Sequence, residues 1–157
     1  MKKMITSVGD YYLEQAVSEA KGLNEFSELE YNAFALSGAP KILKDEKMFY
    51  GNNIILNGIR WESILGSTEN KIYKIVLQIF NNESGEINSI FKSTLKYLID
   101  QMGKYNKHPF FSKKYYWDKK DGNVIYELKS MGDNNSLNLF LTSNFIADQM
   151  KENISNR

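Results

Sequence analysis

A chain of 157 residues with 42% hydrophobic and 25% charged content has the size and composition of one ordinary globular domain, and a single domain over 1–157 is expected. It has no cysteine, which removes disulfides, thiolate metal sites and cysteine nucleophiles together. A net charge of +1, with Arg60 and Arg157 the only arginines, speaks against a protein that coats nucleic acid and leaves little for bidentate phosphate recognition.

Met1 is followed by two lysines but by no apolar run of signal-peptide length, and no run is long enough to span a membrane. A cytoplasmic location is expected, with secretion the alternative if a leader has been removed. Asp10 then caps an expected helix carrying Leu13, Ala16, Val17, Ala20 and Leu23 at helical spacing, with Gly22 near its end. Residues 24–47 read poorly, and their 31–36 piece fits a strand or a helical turn before Pro40.

The clearest local signal is Asn57-Gly58 between apolar runs. Both residues tolerate the positive φ of a type I′ turn, so a hairpin is predicted with Leu56 opposite Ile59 and Ile54 opposite Trp61. A strand over 71–80 follows, with Tyr73, Ile75, Leu77 and Ile79 on one face and Lys74 and Gln78 on the other. Ser84 next opens the best helix, whose stripe is Ile87, Ile90, Phe91, Leu95, Leu98, Ile99 and Met102, with Gly103 at its end. Strands resume at 114–118, 123–129 and 136–142, separated by turns at 120–122 and 132–135. Phe145, Ile146 and Met150 suggest a short terminal helix.

That order predicts an α+β fold of two layers. A mostly antiparallel sheet of about five to six strands carries one long amphipathic helix, with short N- and C-terminal helices.

Catalytic signatures are thin. His108 is the only histidine and no Gly-x-Ser-x-Gly elbow is present, so a serine triad has no framework. The dispersed glycines, Gly66 among them, read as turns rather than as a phosphate cradle. Glu127 and Lys129 on one strand, with Asp118 or Asp121 upstream, give a faint metal-nuclease pattern, but alternation puts them on a solvent face.

One stretch stands apart. Residues 104–120 hold six lysines (Lys104, Lys107, Lys113, Lys114, Lys119, Lys120) and six aromatics (Tyr105, Phe110, Phe111, Tyr115, Tyr116, Trp117). Lysines interleaved with aromatics suit an anionic or protein partner. Tyr115 and Trp117 also suit the core face of a strand, which leaves the loop half of the stretch freest to act.

The leading expectation is a non-enzymatic protein-binding module, of the immunity, inhibitor or chaperone-adaptor kind. Its candidate surface is Tyr105, Lys107, His108, Phe110, Phe111, Lys113, Lys114 and Tyr116. The expected partner is another protein with an acidic surface, with no membrane and no cofactor, and self-association is admitted. The alternatives are an anionic ligand, such as single-stranded nucleic acid or a nucleotide, and a metal-dependent nuclease.

Overall fold

The computed structural model describes residues 7–36, 45–80, 84–106, 114–118, 124–131 and 136–143. It opens with β1 (Ser7–Val8) paired to β2 (Tyr11–Tyr12), where a helix from Asp10 was expected. Gly9 at φ 56° and Glu14 at φ 71° lie in the left-handed region, which a right-handed helix cannot continue through. Backbone bonds tie this segment to the sheet instead: Ile72 N donates to Gln15 O at 2.8 Å, and Val17 N to Asn70 O at 2.8 Å. Only a single 3₁₀ turn, Val17–Glu19, is helical here. Leu13, Val17, Ala20 and Leu23 still pack on the core, so their spacing marked burial and not helicity.

After β3 (Asn24–Glu25) comes α1 (Glu28–Leu36), the helical option for the ambiguous segment. A capping box starts it. Glu30 N donates to Ser27 Oγ at 3.3 Å, and Ser27 N donates to Glu30 Oε1 at 3.1 Å. The Ser27 N–H, donating to the Glu30 carboxyl, is the main reason that it lies below its usual range.

The strands β4 (Lys47–Tyr50), β5 (Ile54–Leu56), β6 (Ile59–Thr68) and β7 (Lys71–Phe80) follow. The β5–β6 hairpin has the expected register, Leu56 opposite Ile59 and Ile54 opposite Trp61, with Asn57 at φ 53° and Gly58 at φ 72°. A second two-residue turn with both φ positive, Glu69-Asn70, joins β6 to β7. Then come α2 (Ser84–Met102), β8 (Lys114–Asp118), β9 (Val124–Met131) and β10 (Ser136–Ser143).

The chain is thus α+β, with a many-stranded antiparallel sheet and few helices. Among the described residues the sheet has eight strands, where about five to six were expected. Its order is β3-β4-β6-β7-β10-β9-β8, with β5 continuing the β4 side of β6. The extra strands are β3, inside the segment that read poorly, and β4, which begins at its last residue, Lys47. The terminal helix expected near Phe145 falls outside the described residues.

One sheet face carries Trp61, Leu65, Ile75, Leu77, Leu137, Leu139 and Trp117 in a buried cluster with Ile87, Phe91, Leu98 and Met102 of α2. Full burial of each such side chain contributes about 1.5–3 kcal/mol, so this cluster is the main source of stability. The opposite face carries a smaller cluster of Phe26, Met48, Ile64, Val76 and Phe140, with Tyr31 of α1 packed on it. Among the described residues, no helix is long and apolar enough to cross a membrane.

Candidate functional site

The lysine–aromatic stretch divides where α2 ends. Gly103 N donates to Ile99 O at 2.7 Å, closing the helix, and Gly103 O accepts from Trp117 Nε1 at 2.9 Å. Trp117 is fully buried. Tyr105 stands edge-on to both Tyr115 (4.7 Å between centroids) and Trp117 (6.2 Å), and Phe91 of α2 lies 5.8 Å from Tyr115. Burial, with Tyr105 alongside, pushes the Tyr115 phenol above its usual range. Three of the six aromatics therefore serve the fold, a role alternation already allowed for Tyr115 and Trp117.

Tyr116 and Lys114 take the other face of β8, Lys114 exposed and Tyr116 half-buried. Tyr105 itself is half-buried against the core. Lys107, His108, Phe110, Phe111 and Lys113 lie outside the described residues. Of the candidate surface, then, Tyr116 and Lys114 share a face and Tyr105 is directed away from them.

Chain positions that composition did not single out make a second cluster on the sheet face opposite α2. Register carries this face from Glu62 to Gln78 to Asn138 across β6, β7 and β10. At its end, Asn53, Arg60, Trp61, Glu62, Gln78, Ile79 and Phe80 line an open cavity of about 250 Å³. The Phe80 ring is 63% exposed, and Ile55, opposite Arg60 across the hairpin, is 66% exposed. With its amide oxygen turned to Arg60, Asn53 accepts from Nε at 3.1 Å and from Nη2 at 2.9 Å, which fixes the guanidinium in the cavity wall. The sequence signal was present but weak: Phe80 closes an apolar run and Arg60 is one of two arginines.

The third cluster is buried. Lys74 was expected on a polar face, yet it is fully buried and its Nζ lies 2.9 Å from Glu46 Oε1. It keeps the expected face, shared with Val76 and Gln78, but the smaller buried cluster covers that face here. A β-bulge lies beside it: Lys74 pairs with Gly66 but Ile72 pairs with Ser67, so Tyr73 is an extra residue in β7. Alternation shifts there, and Ile72, rather than Tyr73, joins Ile75 and Leu77 in the main core. Gly66 is no turn glycine. It sits within β6, where a Cβ would collide with Glu46 Oε1 and would come within 3.0 Å of Lys74 Cε and 3.2 Å of Met48 Sδ. Burial holds the Lys74 ammonium below the usual lysine range, against the opposing pull of Glu46. Burial and the Glu46 charge together push the Tyr73 phenol far above its own. No solute reaches this pair in the described conformation, so its chemistry is structural.

Among the described residues, no group of three or more His, Asp or Glu side chains could hold a metal ion. The nuclease pattern is only partly placed: Glu127 registers with Phe140 and Tyr116, and Lys129 with Asn138 and Lys114. Neither a family model, nor a curated protein sequence, nor a solved structure matches this chain.

Proposed function

We propose that this chain is a non-enzymatic protein-binding module whose partner docks on the sheet face opposite α2. In this reading α2 and the sheet form two layers, and α2 stabilises the layer that does the binding. The observation that carries it is the Ile55–Arg60–Phe80 cluster. Exposed Phe80 and a fixed guanidinium line an open cavity, with exposed Ile55 opposite Arg60 across the hairpin, and arginine and aromatic anchors at pockets are where interface energy concentrates. Exposed apolar side chains gathered around a cavity are a surface that a partner covers.

The partner is a protein with an acidic segment. Its carboxylate meets Arg60, its apolar side chains meet Phe80 and Ile55, and Lys114 with the other lysines of 104–120 steers the approach. Trp117 is not offered as a stacking platform, because it is fully buried, and this favours a protein over a single-stranded nucleic acid.

The test compares immobilised wild-type chain with a Phe80→Ser/Ile55→Ser chain in capture from the source cell extract. Both positions are exposed, so stability should change by less than about 0.5 kcal/mol per site. A protein held by the wild type and lost by the variant supports the reading. Equal retention by both removes it.

A further inference from the structure

Asn57-Gly58 is the only Asn-Gly pair in the chain, and it forms the exposed two-residue turn between β5 and β6. Such a pair can modify itself. The backbone nitrogen of the residue after an asparagine can attack the asparagine side-chain carbonyl, and glycine, lacking a Cβ, leaves that nitrogen least shielded. A Cβ built at Gly58 would meet nothing within 4 Å, so the turn stands open to water on that side. The fold holds the amide elsewhere. Asn57 Nδ2 donates to Ser93 Oγ at 3.0 Å and to Ser93 O at 3.4 Å, tying the hairpin tip to α2 from 36 residues away along the chain. Ring closure expels this same nitrogen, so both contacts must be given up as it proceeds. Bonds that keep Nδ2 on the helix therefore oppose the reaction.

We propose that Asn57 is a site of slow deamidation in the folded protein, and that Ser93 sets its rate. Gly58 N gives up its proton to solvent base and bonds to Asn57 Cγ. The Cγ–Nδ2 bond breaks and ammonia leaves, closing a succinimide. Water then adds to one of the two ring carbonyls and breaks that carbonyl's bond to nitrogen, giving an aspartate or an isoaspartate at position 57. The net change is one water taken up and one ammonia lost, with no oxidant or reductant. The new carboxylate takes the net charge at pH 7 from +1 to zero. It has no N–H to donate, so towards Ser93 O it presents one acceptor to another. The isoaspartate also adds a backbone atom to a two-residue loop, and loop length sets the register that puts Ile55 opposite Arg60.

Ageing the purified full chain in mildly alkaline buffer, with peptide mass spectrometry read at position 57, tests this. Folded wild type should accumulate both products slowly, and the chain unfolded in guanidinium should form them faster. Ser93→Ala should form them at least about threefold faster than wild type, a factor that loss of one ordinary hydrogen bond carries. Ser93→Thr keeps the hydroxyl and should stay near the wild-type rate. Ser93 is exposed on α2, and circular dichroism on each chain ensures that folded proteins are compared. Three results would overturn the proposal. One is no product from folded wild type while the unfolded chain is converted. The others are equal rates for wild type and Ser93→Ala, or a Ser93→Thr chain as fast as Ser93→Ala. The readout is the chemistry of one residue, so it is independent of the proposed partner site.

Discussion

Removing one partner of the buried ion pair tests the physical reading of the sheet most severely. Glu46→Ala leaves the Lys74 ammonium in an interior built to hold a carboxylate beside it. At 2.9 Å, with an effective dielectric constant of about 20, the lost attraction is about 6 kcal/mol. Desolvation of each ion costs several kcal/mol, so the intact pair is close to neutral while a stranded charge costs about 3–5 kcal/mol. Deprotonation offers Lys74 a way out, and this fixes the sign of the pH dependence. Its folded pKa is depressed, so between that value and the unfolded value near 10.4 the unfolded state holds more protons and stability rises with pH. Urea unfolding of wild type, Glu46→Ala, Lys74→Met and the double variant, at neutral pH and at pH about 9.5, measures all of this. Glu46→Ala should lose about 3–5 kcal/mol at neutral pH and less at the higher pH. The double variant, which buries a methionine and no charge, should return to within about 1 kcal/mol of wild type or exceed it. A Glu46→Ala chain within about 0.5 kcal/mol of wild type, or a double variant as weak as the sum of the singles, would refute the reasoning.

Two glycine substitutions separate two mechanisms. Gly66→Ala should cost about 1–3 kcal/mol by crowding the Glu46–Lys74 pair, and much of that loss should vanish in the Glu46→Ala/Lys74→Met background. Gly58→Ala meets nothing within 4 Å, so its loss of about 1–2 kcal/mol is backbone strain at φ 72° and should be the same in both backgrounds. Trp117→Phe removes the bond to Gly103 O and part of a filled volume, and should lower stability by about 2–4 kcal/mol in thermal unfolding. The raised Tyr73 pKa contributes stability that is fully present below pH about 10 and is lost as pH rises beyond it. Tyr73→Phe should flatten that alkaline decline.

Local rules carried the sequence reading as far as contacts are local. Asn57-Gly58 dictates its own turn, and the hairpin register follows from it. Likewise, the strands at 71–80 and 114–118 sit where alternation put them. The failures have non-local causes. The residues after Asp10 have helical spacing, but hydrogen bonds to β7, some sixty residues away, hold them extended. The burial of Lys74 depends on the second cluster that covers its face, on a distant carboxylate and on a missing Cβ at Gly66. No window of sequence contains all three. Of the proposed binding surface, the excess of lysine and aromatic residues was visible, whereas the Ile55–Arg60–Phe80 cluster arises only when β5, β6 and β7 are laid side by side.

The most direct measurement replaces Phe80 with a photo-crosslinking phenylalanine analogue in the source cells, with the same analogue at Lys96, exposed on α2, as the control. A discrete protein adduct from position 80 and none from position 96 is the expected result. Adducts from position 96 alone, or equally from both, would contradict docking on the sheet face opposite α2.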